Sequence, residues 1–252
     1  MKALITGASS GIGRDIAKVL AEKGYDLVLV ARSEDKLRQV QSEINEKYNS
    51  QVKIVTMDIS DVDNCKTLHA ENQNIDLLIN NAGFGDCGKF TKTSLEKELN
   101  MIDTNIKAYH VLMKLFLIDM KKKNSGQILN VASIAGFMPG PLMATYYATK
   151  AYVVRISEAV REELKKEKSN VKISILCPGP VDTNFNKVAN VKFSLKEATS
   201  YDVAKYAINH LNRFYIVPGI GVKLARIGVR FIPTRFAAMM TQNAQRRKIE
   251  GK

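Results

Sequence analysis

Lys2-Ala-Leu-Ile-Thr6-Gly7-Ala-Ser-Ser-Gly-Ile-Gly13 is the stretch on which the fold turns. Lys2 to Thr6 forms a short apolar strand. The glycine-rich segment leads into a helix over residues 11–23, with Ile16, Val19 and Leu20 on one face. Strand, glycine turn and helix together place a pyrophosphate at a helix N-terminus. The glycines let the backbone approach, and the free N–H groups and helix dipole favour negative charge. Taken alone, the same pattern also describes a plain tight β–α connection.

Outward from this unit the alternation repeats. Apolar runs at 26–31, 52–56, 75–79, 127–132, 171–176 and 215–217 read as strands. Residues 34–48, a segment beginning near Asp61, and residues 95–123, 147–168 and 201–213 read as helices. Alternating strands and helices predict an α/β protein with one parallel sheet of about seven strands and helices on both faces. Right-handed crossovers make that sheet doubly wound, with its ligand crevice at the C-terminal ends of the strands. Gly7, Arg32, Asp58, Asn81, Ser133 and Pro178 all follow strands, so all fall on that one edge.

Those edge residues carry chemistry. Ser133 ends a strand, and Tyr146 and Lys150 lie one helical turn apart on one face. A phenol has pKa ~10, and a fixed ammonium nearby favours the phenolate. With Ser133, two hydroxyl donors are available to hold a carbonyl oxygen. Tyr147, three residues before Lys150, competes for the role. By chance the pattern also occurs as a solvated Lys beside a half-buried ring. No acid follows the second strand. The sequence there is Ala31-Arg32-Ser33, which suits the 2′-phosphate of NADP rather than the free 2′-hydroxyl of NAD. The other reading of Arg32 is an exposed side chain near a helix start, and Ser33 is also an N-cap candidate. Asp58 either accepts from an adenine amine or caps the helix near Asp61. Asn80-Asn-Ala-Gly83 binds ribose, buttresses the neighbouring strand, or is a plain turn. Asn105 sits inside a helical pattern it does not favour, from a kink that frees a carbonyl for water or from simple exposure. Residues 184–198, polar and without clean period, read as a mobile lid.

The chain has 252 residues, 45% of them apolar and 25% charged, which is ordinary for a globular domain. No apolar run reaches the ~20 residues that span a bilayer, and no signal peptide is expected, because Lys2–Thr6 already reads as the first core strand. Cys65, Cys87 and Cys177 are scattered, with neither metal spacing nor a disulfide framework, so no metal site and a reducing cytoplasm are expected.

Jointly these motifs resemble the short-chain dehydrogenase/reductase family over residues 1–217. They are Thr6-Gly-x-x-x-Gly-x-Gly13, Asn80-Asn-Ala-Gly83, Asn105, Ser133, Tyr146-x-x-x-Lys150 and Pro178-Gly179. The spacing from Ser133 selects Tyr146 over Tyr147. The resemblance implies a single Rossmann-type domain and reduction of a small-molecule ketone, aldehyde or ketoacyl substrate with NADP(H) in preference to NAD(H), or the reverse reaction. It implies Tyr146 as general acid, Ser133 polarising the carbonyl, and Lys150 binding the nicotinamide ribose and depressing the Tyr146 pKa. Asn105 would hold a water linking Lys150 to solvent. Gly7, Ser9, Ser10, Gly11, Ile12 and Gly13 would surround the phosphates, with Arg32 and Ser33 at the 2′ group. Asp58, Ile59, Asn81, Ala82 and Gly83 would line adenine and ribose, and Pro178, Gly179, Val181 and Thr183 the nicotinamide end. A hydrophobic or acyl substrate is expected from Phe137, Met138, Leu142, Met143 and Phe185. A homo-oligomer is expected.

The net charge of +13 is concentrated at one end. Residues 219–252 contain eight basic side chains and one acid, Glu250. Residues 218–252 therefore form a basic amphipathic extension to the 1–217 domain, interrupted at Pro233. Three readings compete for it: a lid over the substrate crevice, a subunit interface, or a peripheral contact with an anionic membrane. The rival to an enzyme is a nucleotide-binding sensor or scaffold using this tail on an acidic partner. The filled catalytic set speaks against it, and no nucleic-acid partner is expected.

Overall fold

In chain order the strands of the main sheet are β1 (Lys2–Thr6), β2 (Asp26–Ala31), β3 (Val52–Thr56), β4 (Leu77–Asn80), β5 (Gln127–Val131), β6 (Lys172–Leu176) and, last, β9 (Tyr215–Ile216). Two short strands, β7 (Val181–Asp182) and β8 (Ala198–Thr199), pair separately. The computed structural model describes residues 1–183, 189 and 198–250, with side chains through 246. The seven-stranded sheet runs β3-β2-β1-β4-β5-β6-β9, and every pairing in it is parallel. Winding proceeds outward from β1 to β3, then returns and proceeds the other way from β4. The switch between β1 and β4 opens the crevice.

Helices α1 (Gly11–Glu22), α2 (Glu34–Asn45), α3 (Val62–Glu71), α4 (Leu95–Ile102), α5 (Tyr109–Lys123), α6 (Ala144–Lys166) and α7 (Ser200–Asn209) cover both faces. Strand alternation divides the core. Ala3, Ile5, Leu27 and Leu29 pack with α1, α2 and α7, whereas Leu4, Val28 and Val30 pack with α3, α5 and α6. Both faces are buried, so β1 and β2 read as continuous apolar runs rather than alternating ones. Helices α8 (Ile220–Gly228) and α9 (Thr234–Glu250) follow the last strand.

The parallel sheet agrees with the sequence expectation, and several boundaries move. β4 covers 77–80 rather than 75–79. α2 stops at Asn45, and α7 covers Ser200–Asn209 rather than 201–213. α6 begins at Ala144, which places Tyr146 in its first turn. The helix expected over 95–123 is interrupted by a π-helical turn at Asp103–Ala108 that contains Asn105. The tail breaks after Gly228, ahead of Pro233, and the proline instead precedes α9, where a missing N–H costs nothing. The lid expected at 184–198 lies outside the described residues, apart from 189 and 198.

Candidate active site

At the crevice Gly7 and Gly11 adopt φ of +67° and +55°, which β-carbon sterics disfavour in other residues. The turn is held from behind by β4. Asn81 Nδ2 donates to the carbonyls of Thr6 (2.9 Å) and Gly7 (3.2 Å), and Thr6 Oγ1 accepts from the Asn81 and Ala82 amides. Asn81 therefore buttresses the neighbouring strand, one of the three roles open for it in the sequence. Gly13 lies behind the turn rather than around a ligand: a Cβ there would sit 2.4 Å from both Gly7 O and Asn81 Nδ2. This corrects its expected place among the phosphate contacts, and its smallness serves packing. Ser10 is the α1 N-cap, and its side chain makes no capping bond.

A cleft of about 690 Å³ runs from this turn along the sheet edge. Its lining includes Ser9, Ser10, Gly11 and Ile12 with Arg32, Ser33, Asp58 and Ile59, then Asn81, Ala82 and Gly83, and then Ser133, Tyr146, Lys150, Pro178, Gly179, Val181 and Thr183, with Thr183 close against Gly11. Arg32 Nη1 lies 3.8 Å from Asp58 Oδ2, both exposed at the rim. Asp61, not Asp58, caps α3 by accepting from the Asp63 amide at 2.7 Å. Asp58 accepts from the Ser60 amide and keeps its second oxygen toward Arg32. Gly179 leaves room for Val222 of α8, whose Cγ2 would lie 2.8 Å from any β-carbon added there.

Ser133, Tyr146 and Lys150 converge. Ser133 Oγ accepts from the Ala135 amide at 3.1 Å, which fixes its oxygen, and it hydrogen-bonds Tyr146. Lys150 is buried. Its Nζ donates to the Val131 carbonyl at 2.9 Å and lies over the rings of Tyr109 (5.4 Å) and Tyr146 (5.9 Å). Burial lowers the Lys150 ammonium to about 8. Burial raises the Tyr146 phenol above its ordinary value, opposed by the bond with Ser133. The depression of Tyr146 by Lys150, expected from their spacing, does not emerge: burial is the dominant influence on the phenol, and what opposes it is the bond with Ser133.

Asn105 is fully buried within the π-helical turn and does not line the cleft. Its Oδ1 accepts from the Phe84 amide at 3.1 Å. Its Nδ2 donates to Phe84 O and to Thr149 Oγ1, and Thr149 in turn donates to the Tyr146 carbonyl. The turn is the kink expected from an Asn in a helix, and it ties the loop after β4 to the first turn of α6. Of the expected apolar substrate contacts Met143 lines the cleft. Phe137 instead packs on Tyr215 and under Arg226, Leu142 borders a separate small hollow, and Phe185 lies outside the described residues.

Three participants carry no signal that sequence reasoning recognised. Tyr109 donates to the Val131 carbonyl at 3.1 Å, the same oxygen that Lys150 uses. Thr149 lies between Tyr146 and Lys150 and was hidden by the motif itself. Gln245 of α9 is 1% exposed, lines the cleft, and donates to Tyr147 Oη at 2.6 Å. Tyr147 is thereby engaged with the tail, and its ring occupies the space beside Gly140. Thr241 of α9 donates to the Pro139 carbonyl at 2.7 Å.

The short chain dehydrogenase family profile matches residues 1–192. An uncharacterized oxidoreductase of Staphylococcus epidermidis is 38% identical over 185 residues, covering 72% of this chain and 78% of that one. A short-chain dehydrogenase from Sphingobium yanoikuyae, solved in complex with NADPH, superposes with TM-score 0.84 at 26% identity, covering 91% of this chain and 92% of the other. A short-chain dehydrogenase/reductase from Burkholderia phymatum, solved with NAD, gives TM-score 0.80 at 27% identity over 91% of each chain. With its glycine turn, parallel sheet and converging Ser, Tyr and Lys, the chain belongs to the short-chain dehydrogenase/reductase family and is an oxidoreductase of that type.

Proposed function

We propose that the protein reduces a carbonyl compound to an alcohol with NADPH, or runs the reverse reaction. The observation that carries this reading is the convergence of the Ser133 and Tyr146 hydroxyls beside buried Lys150, at the end of a cleft that begins on the glycine turn.

The residues fit a dinucleotide. The left-handed glycines keep side chains out of the turn, and the α1 N-terminus offers backbone donors and a favourable dipole to a pyrophosphate. Arg32, in the lining of the same cleft, supplies a planar cation for a 2′-phosphate, with Ser33 beside it, and no carboxylate directly follows β2 to accept from a free 2′-hydroxyl. Asp58 offers an acceptor to the base.

When bound, the nicotinamide supplies the hydride. The protein handles the oxygen and the proton. Tyr146 and Ser133 donate hydrogen bonds to the carbonyl oxygen, and Tyr146 gives up its proton as negative charge develops there. A phenol raised by burial stays protonated at neutral pH, as a donor must. Lys150, its ammonium lowered to about 8 by burial, lies over the Tyr146 ring and would return a proton to the phenol. Asn105 holds the loop and helix that frame this pair. Met143 and Tyr147 bring apolar surface to a lining that also holds Lys97, Asn100 and Thr104, and buried Gln245 Oε1 has no partner among the described residues. A hydrophobic carbonyl compound carrying one hydrogen-bond donor fits that lining.

The test is NADPH consumption against a panel of ketones, aldehydes and ketoacyl thioesters, with wild type and Tyr146→Phe. Wild type is expected to turn over at least one class. The variant loses ~10²–10⁴-fold in kcat, the usual contribution of a positioned acid, while NADPH affinity by fluorescence titration is retained. Turnover equal to wild type in Tyr146→Phe refutes the assignment.

A further inference from the structure

Thirteen large apolar side chains are exposed among the described residues, and seven of them lie between positions 220 and 240. They follow helical spacing. Ile220, Leu224 and Ile227 share one face of α8, and Phe236, Met239 and Met240 share one face of α9. Phe231, 82% exposed, stands between the helices. The opposite faces are docked on the domain. Val222 fits against Gly179, Arg226 lies 4.1 Å over the Tyr215 ring, Ala237 is buried, and Thr241 and Gln245 bond Pro139 and Tyr147. The helices are therefore fixed by one side and present the other, apolar, side outward. Isolated exposed hydrophobics need no explanation, but two successive helices that each keep an apolar face exposed mark an interaction surface.

Charge identifies the partner. Exposed Arg230 and Arg235 flank Phe231 and Phe236, and eight basic residues stand against one acid in 219–252. A second copy of the chain on this face would bring like charges together, which is costly. An anionic lipid surface offers both what the apolar stripe and what the cations require. No helix among the described residues is long and apolar enough to cross a membrane, so the contact is peripheral. We propose that the outer face of α8 and α9 binds the surface of an anionic membrane, with the apolar side chains at the acyl boundary and Arg230 and Arg235 among the headgroups.

The experiment is vesicle flotation of the full chain. Vesicles of equal parts phosphatidylglycerol and phosphatidylcholine are compared with phosphatidylcholine alone. Wild type is expected to float with the first and stay in solution with the second. Arg230→Gln/Arg235→Gln should weaken partitioning about thirtyfold, about fivefold for each cation. Leu224→Gln/Ile227→Gln/Phe231→Gln should abolish it. Both variants alter exposed side chains and should keep the wild-type circular dichroism melt. Absence of flotation on the anionic vesicles at low salt overturns the proposal, as does equal flotation by either folded variant. Centrifugation showing a dimer that the apolar variant splits, with no vesicle binding, assigns the face to a second copy and overturns it too.

Discussion

At Lys150 burial and chemistry oppose each other. The ammonium sits in the core with its value at about 8 against an ordinary 10.5. Between those two values the unfolded chain keeps a proton that the folded chain has released, so this group's contribution to stability rises with pH across that window. Below pH 8 the full penalty is present, up to about 3 kcal/mol. Lys150→Met is therefore predicted to be more stable than wild type at pH 7 and to lose that advantage by pH 10.5, while losing turnover. Urea unfolding at the two pH values measures it. Arg32 is the opposite case. Its ion pair with Asp58 is long and exposed, so it contributes little to stability. Arg32→Ala should leave the melt unchanged and lower kcat/KM for NADPH about 10- to 100-fold, the range of a charge-assisted hydrogen bond, with little change for NADH. Equal losses with both cofactors would remove Arg32 from the 2′ site.

At the scale of elements, the β1–turn–α1 unit is rigid because it is wedged against β4. Gly13→Ala places a methyl against Gly7 O and Asn81 Nδ2, and neither the backbone nor a doubly bonded amide yields easily. The substitution is predicted to cost roughly 1–3 kcal/mol, as overpacking does. It should also abolish NADPH binding, read by thermal melting and fluorescence titration. This unit was legible in the sequence because its signals are local: an apolar run, glycines and a helix start. Asn105 was legible in part, since a poor helix former within a helical pattern announces a distortion, but the π-helical turn and its bonds to Phe84 and Thr149 require the folded chain. The tail was legible as amphipathic, but not which face docks. Gln245 meets Tyr147 across 98 residues of sequence, and no spacing rule reaches that far. The competition at Tyr146 resolved differently from expectation for a related reason. Spacing shows that an ammonium is near, whereas desolvation depends on everything packed around the phenol.

Across the whole molecule, one doubly wound sheet gathers residues from 7 to 183 along a single edge, and later helices close over one end of it. Buried polar side chains cross-link the layers behind that edge. Asn80 donates to Asn130, Asn130 to Ser157, and Ser157 to the Val153 carbonyl, joining β4, β5 and α6. The Val131 carbonyl of β5 adds α5 to this set, since Tyr109 of α5 and Lys150 of α6 both end on it. A main-chain oxygen is indifferent to the side chain beside it, so no ordinary amino-acid replacement at 131 deletes this fastening. Position 131 should accept Ile with near-native melting and turnover. Tyr109→Phe should give up about 1 kcal/mol by loss of one donor, with Lys150 still tethered. Mutational drift can wear away the pegs at 109 and 150 but not the socket they share.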